Sequence, residues 1–278
     1  MKFILTQTLL LALLSTSLLA QEKKEFGRKI AEFKVDQLDL ISIDTQDHLF
    51  ISNSSGDIYQ FSPEGKELNL FSPPNQGRLN QLEAAWSVNI FSFSSDLQEY
   101  RILDRFLNPL AKGNFTASNI LLAKAATLGN NNVVWVWDES DLSLKSIDYL
   151  RNIQIQSQPL SLVLRETSLN VSEIREYKNR LFMTIPDSGI FIFDNQGNLI
   201  KKINLQDREH LAFYKDFLVW VQGDTLMGLS LSTQSQFEIC ASPERGLEQV
   251  KVGQEYIAFT KSNTVFTYQI PPWLKEMK

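Results

Sequence analysis

The sequence has very few of the residues that build disulfide-linked, imidazole-based or motif-based active sites. Cys240 is the single cysteine, so no intramolecular disulfide can form and core burial must hold the fold together. His48 and His210 are the two histidines, which limits an imidazole metal site to two such ligands. The patterns HExxH, GxSxG, GxxxxGK and GxGxxG are all absent. No catalytic residue, metal site or cofactor is therefore predicted from motifs.

Positive charge is also in short supply. Lysine and arginine number 27 against 32 aspartates and glutamates, and the formal net charge is −5. A nucleic-acid-binding surface needs clustered cations to neutralise phosphates, so nucleic acid is not an expected partner. The same balance does not indicate attraction to anionic lipid.

Long apolar runs are confined to the N-terminus. Lys2 precedes the apolar run from Leu9 to Leu14, and Ala20 supplies a small residue for cleavage. We expect residues 1–20 to be a signal peptide, 21–273 one domain and 274–278 a short tail. The alternative is a retained N-terminal anchor. After cleavage no membrane span is expected, and the protein would be secreted, in a bacterial periplasm or at the cell surface.

From residue 36 onward a unit of about 40 residues recurs six times. In each unit a strongly apolar run follows a polar turn, and an aromatic-rich alternating run comes next. The strongly apolar runs start at Leu49, Ile90, Val133, Leu181, Phe217 and Tyr256. Four short strands in each unit of this length are typical of the blades of a β-propeller.

The turns between these runs carry hairpin chemistry. The first unit contains Gly56 and the turn Pro63-Glu64-Gly65-Lys66, and the fourth contains Gly189 and Asn195-Gln196-Gly197-Asn198. Glycine and asparagine supply the positive φ angles that such hairpins need. The apolar runs are apolar at both alternating positions, which indicates strands buried on both faces.

The two ends of the repeat region complement each other. The repeats cover about residues 36–271, and Pro271-Pro272 prevents a fourth strand in the sixth unit. Residues 28–35 alternate apolar and polar and can supply the missing strand. We therefore predict an all-β, six-bladed β-propeller closed by an N-terminal strand that completes the last blade. A pair of β-sandwiches is the alternative architecture.

The hairpins FSPEGKEL (61–68) and FDNQGNLIKKI (193–203) resemble those of six-bladed propellers of the NHL and TolB-like superfamily, over about residues 26–271. The chain also resembles uncharacterised secreted propellers of Bacteroidota. The resemblance implies the fold. Its members include scaffolds, receptors, lactonases and lyases, so it does not select a function.

Polar residues in the first strand of each unit are the candidates for a ligand site, because these strands line the central channel of a propeller. They are Asp44, Glu83, Lys124, Glu173, Arg175, His210 and Glu248. Lysine and arginine among the acids disfavour a bound divalent cation, so no metal is predicted.

The loops contain candidates for a partner surface. They are Trp86, Arg101, Arg105 and Phe106. We expect a monomer that acts as a non-catalytic scaffold for a protein or peptide, because loops on a rigid frame carry recognition. The alternatives are a hydrolase or lyase, or a small-ligand sensor, that uses the polar residues at the channel mouth.

Overall fold

The computed structural model describes residues 26–84, 88–166 and 168–277. The predicted signal peptide and the candidate partner residue Trp86 lie outside these ranges. Within them, 24 strands form six four-stranded antiparallel sheets.

The first strand of the chain is β1, Lys29–Lys34, and the next twelve build three blades. Each blade is given from its innermost to its outermost strand. Blade one contains β2 Leu38–Ile43, β3 Leu49–Asn53, β4 Ile58–Phe61 and β5 Glu67–Phe71. Blade two contains β6 Gln81–Glu83, β7 Ile90–Ser94, β8 Glu99–Leu103 and β9 Pro109–Asn114. Blade three contains β10 Ala123–Leu128, β11 Val133–Asp138, β12 Ser143–Asp148 and β13 Ile153–Pro159.

The remaining strands complete the ring. Blade four contains β14 Glu173–Tyr177, β15 Arg180–Ile185, β16 Gly189–Phe193 and β17 Leu199–Ile203. Blade five contains β18 Ala212–Tyr214, β19 Phe217–Gln222, β20 Thr225–Ser230 and β21 Gln236–Ala241. Blade six contains β22 Gln249–Val252, β23 Tyr256–Lys261, β24 Thr264–Gln269 and, as its outer strand, β1. A 3₁₀ helix covers Phe115–Ser118, and the short helix α1 covers Pro272–Lys275.

The predicted closure is confirmed. Strand β1 runs antiparallel to β24, with Phe33 opposite Val265 and Glu32 opposite Phe266. The Phe33 ring also lies 4.9 Å, centroid to centroid, from the Phe61 ring of blade one. The N-terminal strand therefore completes blade six and joins it to blade one, which leaves no gap in the ring.

The core lies between neighbouring blades. Every residue of β3 and β7 is buried, as expected for strands packed on both faces. Trp135 and Trp137 of blade three, for example, pack with Ile174 and Met183 of blade four. The second strands start where the apolar runs predict in five blades, and one residue earlier, at Arg180, in blade four.

The inner strands surround the central channel and define two faces. We call the side on which they begin the amino face, and the side on which they end the carboxyl face. Among the described residues no helix is long and apolar enough to cross a bilayer.

Candidate functional site

One layer of side chains crosses the channel, with a residue from each inner strand. Each residue is paired with the second or third residue of the second strand in its blade. Around the ring the layer consists of Ser42, Glu83, Thr127, Arg175, Phe213 and Lys251. The layer brings one carboxylate and two cations together in the middle of the molecule.

Glu173, two residues before Arg175, adds a second carboxylate. We call Glu83, Glu173, Arg175 and Lys251 the channel tetrad. All four residues are more than nine-tenths buried. Arg175 joins the two acids, since its Nη2 lies 3.3 Å from Glu173 Oε1 and its Nε lies 3.7 Å from Glu83 Oε1. The tetrad has equal numbers of acidic and basic groups, as buried charges require.

Neutral side chains complete the contacts of Glu83. Gln81 Nε2 donates to Glu83 Oε1 at 2.6 Å, and Thr127 Oγ1 donates to Glu83 Oε2 at 3.0 Å. Both oxygens of this buried carboxyl group therefore accept hydrogen bonds, which offsets part of its loss of hydration.

Lys251 is held by backbone oxygens. Its Nζ donates to the carbonyls of His210 and Leu211, at 3.0 Å each. The Leu211 N–H in turn donates to Glu173 Oε2 at 2.9 Å. The start of blade five is thus bonded to groups from blades four and six, so the tetrad also connects blades across the channel.

Burial is the largest single influence on the pKa values of Glu83, Glu173 and Lys251. It raises the pKa of Glu83, and Arg175 opposes this only in part. Burial acts to raise the pKa of Glu173 as well, but Arg175 and Lys251 outweigh it and hold that pKa below its ordinary value. Burial, with the Arg175 cation, lowers the pKa of Lys251 to about 7. Lys251 therefore changes charge near neutral pH.

Asp44 and His210 lie at opposite mouths of the channel. Asp44 Oδ1 accepts the backbone N–H groups of Gln46 and His48, at 2.8 Å each, on the carboxyl face. This side chain stabilises its own turn. His210 begins blade five on the amino face with a φ of 55°. Burial lowers the pKa of its imidazole, although Glu173 acts to raise it.

Lys124 and Glu248 do not join the tetrad. Both side chains are exposed. Lys124 occupies an irregularity in the pairing of β10, between Ala123 and Ala125, and Glu248 precedes the inner strand of blade six. The structure brings Glu83, Glu173 and Arg175 together from the predicted channel set and leaves Asp44, Lys124, His210 and Glu248 around them.

A cavity opens on each face. The cavity on the carboxyl face has a volume of about 440 Å³, and its charged lining includes Asp44, Arg175, Lys178, Lys215 and Lys251. The cavity on the amino face has a volume of about 420 Å³, and its lining includes Arg208, Glu209, His210, Trp220 and Glu248. Across residues 26–84, 88–166 and 168–277, no three His, Cys, Asp or Glu side chains are grouped to hold a metal ion.

The predicted partner residues occupy different settings. The expectation that Arg101 lies in a loop is wrong, because it belongs to strand β8. Its side chain is only 13% exposed, and its Nε donates to Glu99 at 2.7 Å. Arg105 is partly buried and Phe106 is exposed, in the turn between β8 and β9 on the carboxyl face. Arg101 is therefore committed to contacts within its own chain, and Phe106 is the most accessible of these three residues.

Several exposed leucines lie on the amino face of blade three. Four leucines there are 37% to 85% exposed: Leu121, Leu122, Leu142 and Leu162. Their loops lie side by side, because Glu139 N donates to Leu122 O and Leu160 N donates to Leu142 O, at 2.9 Å each. We call these four residues the leucine patch. An apolar group of this kind is typical of an interaction surface.

A buried ion pair holds these loops. Asp138 is fully buried and accepts the backbone N–H groups of Leu121 and Leu122, at 3.2 and 3.1 Å. Lys145 Nζ lies 2.6 Å from Asp138 and 2.7 Å from Asp141. Burial acts to raise the pKa of Asp138, but these hydrogen bonds hold it at about 2. The leucines are thus displayed on fixed backbone, which reduces the entropy lost on binding.

Sequence reasoning missed Lys251, Thr127 and the leucine patch. Lys251 and Thr127 lie five and six residues before the second strand of their blades, as Glu83 and Arg175 lie seven and five before theirs. Lys124 and Glu248 lie nine and eight residues before theirs. Spacing alone does not separate the channel layer from the residues around it, because Asp44 lies five and His210 seven residues before the second strands of their blades.

Comparison with known proteins identifies the fold alone. No protein-family model matches the chain, and no curated protein does. Among solved structures it is similar to the WD40 domain of Pan2 from Neurospora crassa, with 12% identity, a TM-score of 0.61 and coverage of 88% of this chain and 96% of that one. It is also similar to the β-propeller domain of Cps50 (Swd1) from Myceliophteria thermophila, with 11% identity and a TM-score of 0.61. That match covers 89% of this chain and 99% of the other. Both are β-propellers, in agreement with the propeller fold described above.

Proposed function

We propose that this protein is a non-catalytic scaffold that binds a protein or peptide partner through the leucine patch. The observation that carries the proposal is the exposure of Leu121, Leu122, Leu142 and Leu162 on one face of one blade. Exposed leucines scattered singly need no explanation, whereas four exposed leucines on adjoining loops do.

The partner surface should itself be apolar. The patch contributes aliphatic side chains, and the buried Asp138 beneath it is paired with Lys145, which also contacts Asp141. Association would remove leucine surface from water, which stabilises a complex by roughly 25 cal/mol per Å² of apolar area before the costs of association.

The compartment is part of the proposal. The sequence of residues 1–20 supports secretion into a periplasm or to the cell surface, and the single cysteine makes folding independent of disulfide formation.

We further propose kinship with the NHL and TolB-like propellers and with the secreted propellers of Bacteroidota, supported by the hairpins at 61–68 and 193–203. The free protein would be a monomer.

The test is affinity capture of the tagged protein from its native envelope after brief cross-linking. The wild type is compared with Leu121→Asp/Leu162→Asp and with the matched control Leu68→Asp/Leu70→Asp, whose leucines are 39% and 49% exposed on blade one. We expect a partner that the patch variant loses and the control keeps. A partner retained by both variants, or absent from the wild type, would contradict the proposal.

The alternative function is a small-ligand sensor, hydrolase or lyase at the channel. It is supported by the carboxyl-face cavity, where Arg175 Nε has no hydrogen-bond partner and Lys251 has a pKa of about 7. The same groups already engage one another and backbone carbonyls, so a ligand would have to displace existing contacts. This favours the scaffold over the channel site.

A further inference from the structure

The outer strand of each blade is an open sheet edge, and one of the six differs from the others. Five contain at least one charged residue: β5 (ELNLF), β9 (PLAKGN), β17 (LIKKI), β21 (QFEICA) and β1 (KIAEFK). Strand β13 (IQIQSQP) contains none, and at seven residues it is the longest of the six.

Charges on an edge strand normally prevent unwanted pairing. An edge presents unpaired N–H and C=O groups, and lysine, proline or a short length keeps other strands away. Strand β13 has proline only at its last position, Pro159, so residues 153–158 contain neither lysine nor proline. Strand β13 pairs with β12 on one side and has no strand on the other among the described residues. Its pairing irregularity, between Ser146 and Ile147 of β12, does not set it apart, because the outer strands of the other five blades have one too.

The side chains on this edge are accessible and apolar. Ile153 is 50% exposed and Ile155 is 55% exposed. Leu150, in the turn that precedes the strand, is 66% exposed. The strand is anchored to the next blade, since Gln156 Nε2 donates to the backbone oxygen of Gln196 at 2.6 Å. A rigid, uncharged edge with exposed isoleucines is therefore available to another chain.

The edge continues into the leucine patch. Strand β13 ends at Pro159, and the N–H of Leu160 donates to the carbonyl of Leu142. A segment lying along β13 toward the amino face would thus reach Leu142 and Leu162. At about 3.3 Å per residue, the six residues before Pro159 offer roughly 20 Å of main chain.

We propose that β13 is a docking edge at which an extended, uncharged segment of the partner protein adds as a fifth strand to blade three. Main-chain hydrogen bonds would hold the segment, and Ile153 and Ile155 would favour apolar residues in it. The proposal rests on the scaffold function, and it specifies the conformation in which the partner is recognised.

The test uses random ten-residue peptides displayed on phage and selected on the purified full chain. Selected peptides are then measured against wild type, against Ile153→Lys/Ile155→Lys, and against the control Leu199→Lys/Ile200→Lys on the equivalent strand β17. Both pairs are exposed outer-strand residues, and circular dichroism checks that each variant is folded. We expect binding at least tenfold weaker to the β13 variant and unchanged binding to the control.

Backbone methylation of a selected peptide supplies a second readout. N-methylation of the alternate peptide residues whose N–H groups face β13 should abolish binding. N-methylation of the residues between them should have little effect, because only one edge of an added strand pairs with the sheet. The proposal would be overturned if no peptide were enriched, if the two sets of N-methyl groups weakened binding equally, or if the peptides bound both lysine variants equally. So would a dimer of the wild type that the β13 lysines dissociate, since a second copy would then occupy the edge.

These outcomes separate the two proposals. If envelope capture depends on the leucine patch but no peptide binds β13, the scaffold function stands and the docking edge is wrong. If peptides bind β13 while capture is indifferent to the patch, the patch is wrong as the partner surface.

Discussion

A lysine inside a propeller channel can remain charged only if the channel supplies oxygen atoms to its ammonium group. Lys251 has two carbonyls, from His210 and Leu211, and the carboxylates of Glu83 and Glu173 nearby. These groups compensate burial only in part, and the neighbouring Arg175 repels the ammonium. A pKa near 7 is the result.

This lowered pKa predicts a pH-dependent stability. In the unfolded chain Lys251 would have a pKa of about 10.5, so between pH 7 and pH 9 the unfolded state binds more protons than the folded state. Stability therefore rises with pH in this window, by about 2 kcal/mol from this residue. Urea unfolding at pH 7, 8 and 9 should show that rise in the wild type and in the exposed-lysine control Lys66→Met, and a smaller rise in Lys251→Met. Parallel profiles for all three proteins would mean that Lys251 stays charged.

At the scale of elements, the closing strand β1 depends on a contact made by a turn of blade one. Gly65 has a φ of +80°, and a Cβ added there would meet the Phe33 ring at 2.6 Å. Gly223 has a φ of +61° and no atom within 4 Å of such a Cβ. The two glycines share a left-handed backbone and differ in whether a strand packs against them.

Substitution by alanine should therefore separate backbone strain from blade closure. Gly223→Ala should cost about 1 kcal/mol, the penalty of a side chain in the left-handed region. Gly65→Ala should cost about 2–4 kcal/mol, because it also displaces Phe33. Thermal unfolding of both variants measures the difference. Equal losses would show that the Phe33 ring yields to the added methyl group. Deletion of residues 26–35, which removes all of β1 from its pairing with β24, should lower the melting temperature sharply, and an unchanged melting temperature would contradict the closure.

The sequence predicted elements better than it predicted the site. The apolar runs that begin at Leu49 and Ile90 are buried on both faces, and burial of that kind leaves a pattern in the sequence. The channel layer is harder to predict, because its residues lie on strands as short as β6, which has three residues. In so short a strand, one extra residue changes which side chain points inward. The irregularity at Lys124 does this in blade three.

The leucine patch could not be predicted for a different reason. Leu121 and Leu122 stand directly before an apolar strand and look like core residues in sequence. Their exposure follows from Asp138, which is 16 to 17 residues away and binds their backbone N–H groups. Such a contact between separate strands has no local signature.

At the scale of the whole molecule, the propeller buries a group of charges at its centre, and among the described residues blade three has the largest number of exposed large hydrophobic side chains. The channel tetrad joins blades two, four and six, while the leucine patch and the uncharged edge β13 both belong to blade three. A rigid ring that presents one distinctive blade is suited to holding a partner at a fixed position.

The most direct test of this account is the affinity of the captured partner for purified variants, measured by isothermal titration calorimetry. Leu121→Asp/Leu162→Asp should bind at least tenfold more weakly than the wild type, a loss of about 1.4 kcal/mol or more. The control Leu68→Asp/Leu70→Asp should bind with wild-type affinity. Equal affinities for all three proteins would contradict the claim that blade three carries the binding surface.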